Sequence, residues 1–93
     1  MKKIKIIIAD DHSILQHGLA QSLEMEEKFD IVAKADSGLA AIEFASQYLP
    51  DLVIMDVSMP GLNGMEATKR ILTKNPGIKV IALSMHMEKI FSD

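Results

Sequence analysis

Along the chain, short apolar runs alternate with stretches whose apolar positions recur at helical spacing. Lys5 to Ala9 is a nearly continuous, isoleucine-rich run, the pattern of a strand covered on both faces. Ser13 reads as a helix N-cap, and Ile14, Leu15, Gly18, Leu19, Ser22 and Leu23 follow as a helical stripe. Asp30 to Ala35 is a second strand, more polar and therefore nearer a sheet edge. Gly38 to Tyr48 predicts a second helix with Leu39, Ile42 and Ala45 inward; periodicity does not place Phe44. Pro50 leads out of that helix into Leu52 to Met55, the clearest buried strand. Asn63 and Glu66 resemble a capping box opening a third helix that ends near Lys74. Asn75-Pro76-Gly77 is turn chemistry, Ile78 to Leu83 a fourth strand, and Met85 to Phe91 the expected start of a fourth helix. Alternation of this kind predicts right-handed crossovers and a parallel sheet with helices on both faces.

Composition narrows the function. A chain of 93 residues has room for one domain, and 48% apolar with 25% charged residues is globular. A net charge of −3 argues against direct nucleic-acid binding, and no apolar run approaches a membrane span. With no cysteine, disulfides, thiol catalysis and zinc–thiolate sites are excluded. The apolar stretch behind Met1-Lys2-Lys3 ends at Asp10-Asp11, too short for a signal peptide, so the expected location is cytoplasmic.

The acids carry the chemistry. Asp10 and Asp11 follow the first strand, and Asp56 follows the third. In an open parallel sheet the strand C-termini share one edge, where ligands bind. If the first and third strands are neighbours, these carboxylates meet in one pocket, where they repel unless a cation is present, and hard oxygen donors suit Mg²⁺. Ser84, after the fourth strand, brings a hydroxyl to the same edge. Acids and serines also sit at strand ends merely as loop residues, a reading that fits each alone better than it fits them together. Mg²⁺ prefers oxygen, so His12 reads as a loop residue, and His17 and His86 lack ligand-like neighbours.

The segments IIIADDH (Ile6 to His12), LVIMDVSMPGLNGMEA (Leu52 to Ala67) and VIALSMH (Val80 to His86) resemble a response-regulator receiver domain of the NarL/FixJ type. The resemblance covers Lys3 to about His86, and its three motifs are specific as a set. It implies a flavodoxin-like (CheY-like) doubly wound parallel sheet, α/β in class, with strand order 2-1-3-4. It further implies that Asp56 is the phosphoacceptor, taking a phosphoryl group from a sensor histidine kinase. Asp11 and Asp56 would hold Mg²⁺ directly, Asp10 through water and Ser58 through its backbone carbonyl. Ser84 would contact the phosphoryl group and act as a switch. Pro60 and Gly61 read as turn punctuation.

The chain departs from that family at its end, stopping at Asp93, just inside the expected fourth helix. The family's fifth strand and helix, the lysine that pairs with the phosphoryl group and the aromatic switch residue are missing, and Lys79 and Lys89 do not match the lysine's position. The expectation is one receiver domain, residues 1–93, truncated at the start of the fourth helix, without a DNA-binding output domain and with weakened phosphorylation. A bare fourth strand, Ile78 to Leu83, further predicts a homodimer or segment-swapped oligomer through that edge and the C-terminal stub. A haloacid-dehalogenase-type phosphatase also places a nucleophilic Asp after a buried strand, but Ser58 stands where it needs a second Asp. A non-catalytic interaction module with a vestigial site would keep the fold and lose metal binding. No glycine-rich phosphate loop follows the first strand, which excludes P-loop and dinucleotide sites.

Overall fold

The computed structural model describes residues 2–57, 64–83 and 88–91, the last as backbone. The elements run β1 (Ile4–Ala9), α1 (Ser13–Glu24), β2 (Phe29–Ala35), α2 (Gly38–Tyr48), β3 (Leu52–Asp56), α3 (Gly64–Lys74), β4 (Lys79–Leu83) and β5 (Glu88–Phe91). They form one sheet in the order β2-β1-β3-β4-β5. The first four strands are mutually parallel in the order 2-1-3-4, the flavodoxin-like arrangement.

The isoleucines of β1 explain its central place. Ile6, Ile7 and Ile8 are all fully buried, because successive side chains alternate between two covered faces. On one face Ile7, Val53, Met55 and Val80 pack with Ala41 and Ala45 of α2 and Ala67 and Ile71 of α3. On the other, Ile6, Ile8 and Ile54 pack with Ala20, and with Leu19 and Leu23 beside it, on α1. The more polar β2 lies at the edge, as its composition predicts.

Helix phase is where sequence and structure differ. In α1 the inward positions are Leu19, Ala20 and Leu23, with Gln16 half-buried below them, while Ile14 is 86% exposed and Gly18 is exposed. In α2, Gly38, Ala41 and Ala45 face inward and Leu39 is 62% exposed. Both helices keep the expected period, and Leu19, Leu23, Ile42 and Ala45 pack inward as expected, but the covered stripe is rotated so that Ile14, Gly18, Ser22 and Leu39 fall outside it. Close packing of α2 against α3 and the sheet favours small side chains over Leu39. Phe44 is half-buried against the core, its ring 6.0 Å from that of Tyr48. Ser13 is the first residue of α1 rather than its cap; the N-cap position is His12, whose backbone is extended and whose side chain makes no capping bond. Asn63 lies outside the described residues.

The largest correction concerns the C-terminal end. The helix start expected over Met85 to Phe91 is overturned at its far end: Glu88–Phe91 is a strand antiparallel to β4, pairing Val80 with Phe91 and Leu83 with Glu88, while Met85 to Met87 lie outside the described residues. A short isolated helix is marginal in water, whereas the edge of β4 offers unpaired N–H and C=O groups. An antiparallel edge strand on an otherwise parallel sheet is a common solution. β4 is therefore not a bare edge, and self-association through it would require displacing β5. Among the described residues, no helix is long and apolar enough to cross a membrane.

Candidate functional site

β1 and β3 are adjacent and parallel with Ala9 opposite Met55, so the next residue along each strand is an aspartate. Asp10 and Asp56 thus stand side by side at the C-terminal edge, with Asp11 following Asp10 in the loop to α1. Their side chains are 16%, 12% and 28% exposed for Asp10, Asp56 and Asp11, a shallow pocket open to solvent. Asp56 is also the last residue of β3 and pairs with Leu83 of β4. The Val57 N–H donates to the Leu83 carbonyl at 3.1 Å, so the chain leaving Asp56 remains tied to β4.

His12 sits over the three acids. Its Nδ1 lies 3.0 Å from Asp10 Oδ1, 3.1 Å from Asp11 Oδ1 and 3.6 Å from Asp56 Oδ2. The His12 N–H donates to the same Asp10 oxygen at 2.8 Å, fixing that carboxylate by a local turn. The hydrogen bond to Asp10, then the charge of Asp11, raises the His12 pKa above its usual 6.5. One ligand atom from each of Asp10, Asp11, His12 and Asp56 can be chosen so that all lie within 4.8 Å of one another. Carboxylates this close repel, and a small hard cation relieves the repulsion, so the donor set fits Mg²⁺.

The surrounding backbone leaves little slack. Gly64, the first residue of α3, donates to the Val57 carbonyl at 3.4 Å. A Cβ at Gly64 would meet the Asp56 carbonyl oxygen and come within 2.6 Å of Val57 Cα. Only glycine permits α3 to start this close to the chain leaving Asp56. Thr68 is 2% exposed, and its hydroxyl donates to the Gly64 carbonyl at 2.7 Å. Across the pocket, Gln16 Nε2 donates to the carbonyls of Asp10 at 3.2 Å and Ala35 at 3.0 Å.

The structure therefore brings together Asp10, Asp11 and Asp56. Ser58 and Ser84, with Pro60, Gly61 and His86, lie outside the described residues. Lys79 is at the opposite edge of the sheet, where its N–H donates to the Asp51 carbonyl. His12, read from the sequence as a loop residue, stands in that loop within the carboxylate cluster, and Gln16, which the sequence did not single out, is a polar residue on the inward side of α1.

The family profile of the response regulator receiver domain matches residues 6–92. Transcriptional regulatory protein DegU of Brevibacillus brevis is 39% identical over 89 residues, which are 96% of this chain and 38% of that protein. Transcriptional regulatory protein LnrK of Bacillus subtilis is 46% identical over 81 residues, 87% of this chain and 37% of that protein. The chain thus spans less than half the length of these curated relatives. Among solved structures, the signal receiver domain of a NarL response regulator from Mycobacterium tuberculosis superposes with a TM-score of 0.88 at 28% identity, covering 94% of this chain and 70% of that one. The isolated receiver domain of RcsB from Salmonella enterica serovar Typhimurium, solved with a phosphomimetic, gives 0.83 at 32% identity over 91% of this chain and 64% of that one. The chain belongs to the response regulator receiver domain family.

Proposed function

We propose that this chain accepts a phosphoryl group on Asp56 from a sensor histidine kinase, with Mg²⁺ held by Asp10, Asp11, Asp56 and the Ser58 carbonyl. The observation that supports it is the convergence of the three carboxylates at the C-terminal edge, Asp56 being the one that ends a central strand. Receiver domains bind Mg²⁺ at an acidic pocket, and this donor set fits that ion. When bound, the cation supplies positive charge that offsets repulsion between the carboxylates and an incoming phosphoryl group.

In the proposed step an Asp56 carboxylate oxygen attacks phosphorus, forming an acyl phosphate. The phosphorus–nitrogen bond to the donor histidine breaks, and the imidazole keeps that electron pair and takes a proton. Ser84, the residue after β4, is proposed to donate its hydroxyl to a phosphoryl oxygen and to report the modification along that strand. Lys79 lies at the opposite edge of the sheet from Asp56 and has no part in the proposed step. The proposed setting is a cytoplasmic transcription regulator, in which this domain receives the signal and does not itself bind nucleic acid. The haloacid-dehalogenase-type and vestigial-module alternatives are not favoured by the family match.

Intact-mass spectrometry after incubation with acetyl phosphate and Mg²⁺ tests the assignment. One phosphoryl adduct is expected on the wild type and none on Asp56→Asn. An adduct that persists in Asp56→Asn refutes it.

A further inference from the structure

Gln16 breaks the pattern of its own helix. It shares the inward stripe of α1 with Leu19, Ala20 and Leu23, a place where packing against the sheet calls for an apolar residue. Departures of this kind mark places where a fold gives up local consistency for function. Both amide hydrogens of Gln16 are accounted for, one donated to the Asp10 carbonyl and one to the Ala35 carbonyl. Ala35 is fully buried at the end of β2, and its carbonyl also accepts from the Asp10 N–H at 2.9 Å. Gln16 is in turn held by α1, its own N–H donating to the His12 carbonyl at 2.9 Å. The acidic loop is thus closed at its base by one side chain that joins a helix, an edge strand and the loop itself.

We propose that Gln16 is a positioning residue of the acidic site, whose amide, by holding the carbonyls of Asp10 and Ala35 together, orients the Asp10–Asp11 peptide and so aims the Asp11 carboxylate at Asp10 and Asp56. The Asp10 carbonyl and the Asp11 N–H belong to one rigid planar unit, so fixing the direction of that oxygen fixes where Asp11 Cα departs. The Asp10 carboxylate has its own anchor in the His12 N–H, whereas the peptide between the two acids takes its orientation from Gln16. Releasing the amide lets that peptide rotate, which leaves Asp10 in place and misdirects Asp11.

This inference rests on the proposed cation site, and Mg²⁺ alone is the probe. Calorimetric titration of the chain is compared for wild type, Gln16→Met, Gln16→Asn and Asp11→Asn, with Gln21→Met as the same chemical change on the exposed face of α1. Loss of a hydrogen bond behind a metal ligand weakens binding by about tenfold or more. Gln16→Met is expected to raise the Mg²⁺ Kd by about tenfold, and Gln21→Met to leave it unchanged. Gln16→Asn keeps the amide but is one methylene too short to reach both carbonyls, so it should shift the Kd in the same direction even if the methionine variant folds poorly. Thermal melts without Mg²⁺ separate positioning from stability, since a merely structural role lowers the melting temperature and leaves the Kd of the folded protein unchanged. Wild-type Kd values in both Gln16 variants, with binding lost in Asp11→Asn, overturn the role of Gln16 and leave the cation site standing. A wild type that binds no Mg²⁺ overturns the cation site and this inference with it.

Discussion

Replacing Gly64 by alanine places one methyl group where the backbone has no room for it. The added Cβ would press on the Asp56 carbonyl oxygen and stand 2.6 Å from Val57 Cα and 2.9 Å from the Asp56 carbonyl carbon. Carbon atoms in contact settle near 3.5–4.0 Å, so the start of α3 and the chain after Asp56 must separate by roughly 1 Å. The obstacle is backbone, not a side chain that can swing aside. Overpacking of this kind costs about 1–3 kcal/mol. Better helix propensity returns at most about 1 kcal/mol, so even with that full return the change leaves Gly64→Ala about 0–2 kcal/mol less stable. The displaced residue is the proposed phosphoacceptor, and a misplacement of about 1 Å can cost as much as ~100-fold in rate. The signature is a phosphorylation defect larger than the stability loss alone would produce. Gly18→Ala is the matched control, since its Cβ would meet nothing within 4 Å on an exposed helical position. It should stabilise the chain by roughly 0.5–1 kcal/mol. Urea unfolding gives both stabilities, and adduct formation from acetyl phosphate gives the rates. A Gly64→Ala protein as stable as Gly18→Ala, or phosphorylated at the wild-type rate, would refute the reasoning.

The His12 imidazole should titrate above 6.5 by proton NMR without divalent cation, because the Asp10 hydrogen bond and the Asp11 charge favour its protonated form. Its folded pKa is the raised one, so the stability it contributes is fully present below 6.5 and is lost as pH rises through the folded value; a midpoint at or below 6.5 contradicts the geometry. Asp51 accepts from the Lys5 N–H at 2.8 Å, joining β1 to the start of β3, and Asp51→Ala should cost about 0.5–1.5 kcal/mol in urea unfolding with no change in Mg²⁺ affinity. Ile71, 1% exposed between α3 and the sheet, should cost about 2–5 kcal/mol as Ile71→Ala, a large share of the ~5–15 kcal/mol that a domain has. A near-neutral Ile71→Ala would place that residue outside the core.

Much of this molecule is legible from residue order alone. The run Ile6-Ile-Ile8 announces a strand buried on both faces, and β1 is central. The three acids fall at strand ends because strand length and loop length are written locally, and a parallel sheet gathers those ends on one edge. Adjacency of β1 and β3, which turns separate aspartates into a pocket, came from the resemblance of the motifs and is confirmed by the register of Ala9 with Met55. Helix phase was legible in part. Leu19, Leu23, Ile42 and Ala45 pack inward as expected, whereas Ile14 and Leu39 satisfy the same period and are exposed, because only the partner surface decides how far the covered stripe extends around the helix. The role of Gln16 was not legible, since its two acceptors lie 6 and 19 residues away and meet only when the loop closes against β2. The C-terminal end differs for a related reason. Glu88 to Phe91 carries no decisive local preference, and what makes it a strand is the open edge of β4, a property of the assembled sheet and not of those four residues.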